Sequence, residues 1–148
     1  AEHVFPASTY LRYGVDGERD QRLTELAILT TARELDSQYE WTAHEPAARN
    51  AGLEEEIIEL LRFGRPLADA GALPGLGARE RTIIRVAREL INEPKVSAET
   101  FVEAQTLFGN KGVMDLTGLV GYYTFVNYTL KTFDLQRTPG SQLLLPLP

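Results

Sequence analysis

Residues 22–53 read RLTELAILTTARELDSQYEWTAHEPAARNAGL, and their pattern decides the fold. Leu23, Leu26 and Ala27 recur at three- and four-residue spacings, with Thr30, Thr31 and Glu34 extending the rows. That is the period of an amphipathic helix and not of a strand. The pattern predicts a helix from Glu18 to Leu35. Asp36 or Ser37 can cap a second helix, which runs to about Ala51 and stops at Gly52. Pro46 lies inside this second helix, where it removes one backbone donor and crowds the carbonyl of Thr42, so a kink is expected.

Working outward, Glu54 to Phe63 forms a third helix ended by Gly64 and Pro66. Residues 64–78 (GRPLADAGALPGLGA) are a connector with at most one helical turn, Leu67–Ala70. Its glycines lack the preceding strand and the following Lys-Ser/Thr of a phosphate loop. Arg79 to Asn92 is a fourth helix, with Ile83, Ile84, Val86, Ala87, Leu90 and Ile91 turned to the core, and Pro94 ends it. Ser97 caps a fifth helix to about Phe108, stopped by Gly109. Gly112 to Phe133 is the most apolar helix of all. It carries hydrophobic residues nearly all round, which predicts burial on every side and a place in a subunit interface. Residues 1–17 read as an arm with a short turn at Tyr10–Tyr13, and residues 136–148 as an extended tail. No strand alternation or tandem repeat is present. The expectation is an all-α, single-domain bundle of about six helices over residues 18–135, flanked by the two arms.

A length of 148 residues suits one domain. With 21 acidic against 15 basic residues the net charge is −6, which argues against nucleic acid and anionic lipid as partners. The absence of cysteine excludes disulfides, thiolate metal sites and thiol nucleophiles. With only two histidines, His3 and His44, a three-histidine metal site cannot form. The apolar run from Leu116 to Leu130 is too short for a membrane span, and no signal segment opens the chain. These features predict a cytoplasmic, soluble protein.

The chemistry-bearing residues cluster on the second helix. Ser37, Glu40 and His44 fall at i, i+3 and i+7 and share one face, flanked by Tyr39 and Trp41. A carboxylate beside an imidazole on an apolar wall is a plausible acid/base pair: burial raises the carboxylate pKa and lowers that of the imidazole, while their attraction opposes both shifts. The bland alternative is a solvated helix contact. Glu45 and Arg49 share that spacing and read as a surface ion pair. In the last helix Tyr122 and Tyr123 read as core, Asn127 as a buried amide needing partners, and Gly118 and Gly121 as points of close helix approach.

These segments, together with RERTIIRVARELI, VSAETF and DLTGLVGYYTFVNYTL, resemble the carboxymuconolactone decarboxylase-like family of the alkylhydroperoxidase D-like superfamily. Longer members carry more chain ahead of this segment, so a truncated start is expected. The peroxidase branch uses a Cys-x-x-Cys pair, a His four residues later and a Glu twelve residues earlier. Those positions fall on Ser37, Glu40, His44 and Glu25, so the relay residues are kept while both sulfurs are gone. The resemblance therefore implies decarboxylase-type chemistry without cofactor. His44, Glu40 and Glu25 would be catalytic, with Ser37, Tyr39, Trp41, Tyr123 and Asn127 around the substrate and no metal. The substrate would be a small lactone or oxygenated carboxylate passing through an enolate, with Arg33 or Arg49 as a carboxylate anchor. It also implies a homotrimer or homohexamer. Two alternatives stand beside it: a metal-dependent variant using Glu25, Glu40 and His44, and a non-catalytic module that binds a small molecule.

Overall fold

In the computed structural model, which describes residues 5–135 and 137–146, six α-helices form and no strand. They are α1 (Phe5–Tyr13), α2 (Gln21–Glu34), α3 (Gln38–Asn50), α4 (Glu55–Arg62), α5 (Ala78–Asn92) and α6 (Ala98–Thr132). A 3-10 turn at Leu67–Ala70 sits in the connector where the sequence placed it.

Each boundary has a local cause. Asp20, not Glu18, opens α2, because its side chain accepts the Leu23 amide at 3.2 Å. Gly52 closes α3 at φ 86°, a left-handed backbone that lets Gly52 N and Leu53 N reach the carbonyls of Arg49 and Ala48. Ser97 caps α6 through the Thr100 amide at 3.2 Å. The helix α3 runs on through Pro46 to Asn50.

α2 is the central element. Every residue from Leu23 to Ala32 is buried, and the helix packs against each of the other five. The core is built from Leu26, Ile28 and Leu29 of α2, Trp41 of α3, Ile57, Ile58 and Leu61 of α4, and Ile84 of α5, all close to fully buried.

Two expectations about the ends need correction. The N-terminal arm carries a nine-residue helix, longer than the turn anticipated at Tyr10–Tyr13. It docks on α6, where a Cβ added at Gly118 would meet Leu11 Cδ2 at 2.9 Å. Gly121 has open space around it and makes no such close approach. The last two anticipated helices are one element broken only at Gly109, whose φ 67° and ψ 174° are non-helical, and the helix resumes at once instead of at Gly112. Within one chain α6 is covered on one face only, and the burial expected from a subunit interface is a property of an assembly. Leu116, Leu119, Val120 and Tyr123 face inward, while Met114, Phe125 and Tyr128 are exposed. Among the described residues no helix is long and apolar enough to cross a membrane.

The tail folds back over the start of α3. Gln38 accepts the Leu144 and Leu145 amides at 3.0 and 2.9 Å and donates to the Leu145 carbonyl at 2.6 Å. This seats Leu145 in the core.

Candidate functional site

Glu25 is a charged residue in the most buried helix of the fold, so it must find a donor nearby. α3 crosses α2 where His44 supplies it: His44 Nδ1 lies 2.8 Å from Glu25 Oε2. A carboxylate only accepts, so Nδ1 carries the hydrogen and donates. That bond orients the ring and turns Nε2 toward Glu40. One helical turn back on α3, Glu40 places Oε2 3.5 Å from Nε2. Tyr123 of α6 stands edge-on to the imidazole, with centroids 5.1 Å apart and planes at 88°. Thus α2, α3 and α6 each deliver one wall of the site.

The two carboxylates differ in partner. Burial pushes the Glu40 carboxyl above its ordinary range, and the attraction of His44 and Arg12 only partly offsets this. Glu40 is thereby disposed to hold a proton. Burial also pushes the Tyr123 phenol up, keeping it neutral.

The carboxylates bracket the imidazole from its two nitrogens, so the three donors diverge. Among the described residues no group of three or more His, Asp or Glu side chains is placed to hold a metal ion. The metal-dependent alternative therefore has no geometric support.

Of the residues named from sequence, Glu25, Glu40, His44 and Tyr123 come together. Ser37 is buried at the N-terminus of α3, without a side-chain capping bond. Trp41 is fully buried and spends its indole N–H on Glu45 Oε2 at 2.5 Å. Tyr39 is partly exposed and lines a separate cleft of about 730 Å³ beneath the tail, with Gln38, Arg137 and Leu143. Asn127 is buried one turn beyond Tyr123, and its Nδ2 has no hydrogen-bond partner among the described residues.

Arg33 and Arg49 lie elsewhere. Arg33 pairs with Asp36 at 3.3 Å, and Arg49 with Glu45 and Glu55. The reading of Glu45–Arg49 as a surface pair also fails, because Glu45 is buried and receives Trp41 and Arg62 as well.

Sequence reasoning missed Arg12 of α1, whose Nη2 lies 4.0 Å from Glu25 Oε1. The available signal was the helical register of Tyr10 to Tyr13, which puts a cation in the last turn of α1. It also missed Asp115, where Tyr10 Oη, Arg19 Nη2 and Lys111 Nζ converge at 2.9, 3.1 and 2.8 Å and tie α1 to α6. A cleft of about 310 Å³ beside Asp115 runs between Leu23, Ile83, Phe108 and Leu119. A third, of about 290 Å³, lies between α5 and α6. None of the three clefts has Glu25, Glu40 or His44 in its wall.

An all-α bundle that buries a Glu–His–Glu line on its central helix pair defines the class: a helical domain with a buried imidazole between two carboxyl groups and no thiol. The family model described as the carboxymuconolactone decarboxylase family matches residues 2–89, more than half of the chain, and the chain belongs to that family. No curated protein and no solved structure matches the chain significantly. The family points to a decarboxylase or peroxidase-like role. Thiol-based peroxide reduction has no nucleophile here, since the chain contains no cysteine.

Proposed function

We propose that this protein is a cofactor-free acid/base enzyme of the decarboxylase or isomerase type, acting on a small lactone or oxygenated carboxylate through an enolate-like intermediate. The observation that carries the proposal is the buried line Glu25–His44–Glu40, with Nδ1 held at 2.8 Å and Nε2 facing a second carboxyl at 3.5 Å. Glu25 holds the tautomer, His44 Nε2 moves the proton, and Glu40, pushed up by burial, delivers it. In a decarboxylation the bond to the carboxylate carbon breaks and carbon dioxide leaves. The electron pair stays as an enolate on the ring, and Glu40 protonates the carbon before recovering a proton through His44. The apolar surroundings favour this step, because charge becomes more delocalised along it.

A homotrimeric or homohexameric assembly and a cytoplasmic location belong to the same proposal. The exposed Met114, Phe125 and Tyr128 of α6 support the assembly as a face suited to another copy. The competing reading is a module that binds a small molecule without turning it over.

The test is hydrogen–deuterium exchange at the carbon next to the carbonyl of lactones and keto acids, followed by NMR. Wild type should catalyse exchange, and Glu40→Gln and His44→Ala should slow it by about 10²- to 10⁴-fold with the circular dichroism unchanged. Normal exchange in both variants would remove the acid/base assignment, and binding without exchange in wild type would leave the module.

A further inference from the structure

We propose that the cleft between α2, α5 and α6 is a second ligand site, separate from the Glu25–His44–Glu40 line, and that it takes a compact amphiphile with one acidic head and an apolar body. The inference goes beyond the proton-transfer reading and does not rest on it.

The cleft exists because the longest helix breaks. At Gly109 the backbone leaves the helix, at φ 67° and ψ 174°, so residues before and after it face one hollow: Leu107 and Phe108 on one side, Gly112, Leu116 and Leu119 on the other. Only a glycine fits at position 112, since a Cβ there would meet Phe108 Cβ at 2.6 Å. Leu23 and Ala27 of α2 and Ile83 of α5 complete the apolar lining. Successive helical residues turn by about 100°, so Leu23 and Ala27 lie across α2 from Glu25. None of Glu25, Glu40 and His44 is in the wall. The volume of about 310 Å³ stands at the lower end of the roughly 300–1,000 Å³ of small-molecule sites, which sets a compact body.

The polar groups at the rim decide the head. Asp115 accepts Tyr10, Arg19 and Lys111, and Asp20 accepts the Leu23 amide, so both carboxylates are occupied. Arg79 is different. Its guanidinium carbon lies 5.7 Å from the centre of the Phe108 ring in the cleft wall, and no acceptor holds it among the described residues. Arg19, Lys111 and Arg79 set three positive charges against the two carboxylates, on a chain whose net charge is −6. A local cationic surplus, with an uncommitted fork laid over an aromatic ring, complements a single negative charge carried on an apolar body. A neutral amphiphile leaves that fork to water, and a cationic one is repelled.

The experiment titrates octanoate, hexanoate and 1-octanol into the full chain. It follows the ¹³C and ¹H shifts of the leucine and isoleucine methyl groups, with the His44 ring as a control. Octanoate should move the Ile83, Leu116 and Leu119 methyls and leave the His44 ring in place. Hexanoate, two methylenes shorter, should bind roughly 15-fold more weakly. 1-Octanol should bind about 5-fold more weakly than octanoate, and Arg79→Gln should erase that difference while leaving 1-octanol unchanged. Arg79 is exposed, so this variant keeps the fold. Leu107→Trp, which narrows the cleft from its half-buried rim, should weaken both octanoate and 1-octanol. Octanoate shifts at the His44 ring, or on the Met114 and Phe125 face of α6, in place of the cleft would overturn the inference. So would hexanoate binding as tightly as octanoate, equal binding of octanoate and 1-octanol in wild type, or equal loss of both in Arg79→Gln. Methyl shifts that follow protein concentration and ignore octanoate would seat a second copy in the cleft and overturn it as well. Cleft shifts in a protein that fails the deuterium-exchange assay would uphold this site while the proton-transfer reading falls.

Discussion

Glu40 and Glu45 lie on one helix, both are buried, and they behave in opposite ways. Glu45 receives the Trp41 indole, Arg49 Nη2 at 2.9 Å and Arg62 Nη2 at 2.7 Å. Burial raises its pKa, but these donors outweigh it and hold the carboxyl below its ordinary range. Glu40 has no hydrogen-bond donor of its own among the described residues, only the imidazole at 3.5 Å and the more distant charge of Arg12, and burial wins. The helix thus carries one carboxyl held toward its ionised form, which ties α3 to α4 through Arg62, and one turn away a carboxyl that burial pushes toward its protonated form. Burial alone predicts neither behaviour, because the number of donors aimed at each carboxyl decides.

The largest effects should separate the two residues by phenotype. Glu40→Gln should abolish most proton exchange, by the 10²- to 10⁴-fold given above, without loss of stability. Glu45→Gln should leave the exchange reaction intact in the folded protein and cost about 3 kcal/mol of stability, because two guanidinium groups lose their buried counter-charge and one of the two accepting oxygens becomes an amide donor. Urea unfolding midpoints beside exchange rates at low temperature would check both. If Glu45→Gln were as stable as wild type, the anchor would be decorative and the contrast would collapse.

The pH dependence should sharpen the same contrast with smaller amplitude. The folded-state pKa of Glu45 is depressed, so its contribution is present above the ordinary 4.5 and lost as pH falls through the folded value. The folded-state pKa of Glu40 is raised, so ionising it costs stability as pH climbs from 4.5 through the folded value. Glu40→Gln should therefore raise the melting temperature relative to wild type at pH 8, and the gain should vanish near pH 4. Glu45→Gln should flatten the acid limb that wild type shows. Parallel curves for the two variants would contradict the assignment.

Where the chain's chemistry is local, the sequence disclosed it. Gly52 and Ser97 end or begin helices through bonds to their own neighbours, and the i, i+4 spacing of Glu40 and His44 follows from helix geometry alone. The meeting of Glu25 with His44 was reachable only through the family resemblance, because it joins two helices. What stayed hidden depends on tertiary placement. The same i, i+4 spacing describes Glu45–Arg49 and Glu40–His44, and nothing local says that Arg62 lies 17 residues further on to draw Glu45 inward. Arg12 and Asp115 acquire meaning only when α1 docks on α6, a contact that Gly118 permits by leaving room for Leu11. The apolar composition of α6 calls for more cover than one small domain supplies, and a single chain covers one face of it.

The weakest expected effect tests the anchor's inner logic. Arg62 and Arg49 both donate to Glu45 Oε1, at 2.7 and 2.9 Å, so distance alone would rank them as near equals. Their surroundings differ: the Arg62 side chain is 18% exposed and that of Arg49 is 41%. Water and salt screen the outer pair, and Arg49 must surrender rotamer freedom to keep it. Arg62→Ala should therefore cost about 2 kcal/mol, as expected for a charged hydrogen bond to a buried group. Arg49→Ala should cost about 0.5 kcal/mol, a loss that diminishes further in 1 M salt. Equal costs for the two would mean that Glu45 responds to the count of arginines and not to their burial. The distinction between an ionised and a protonated carboxyl on α3 would then need another origin.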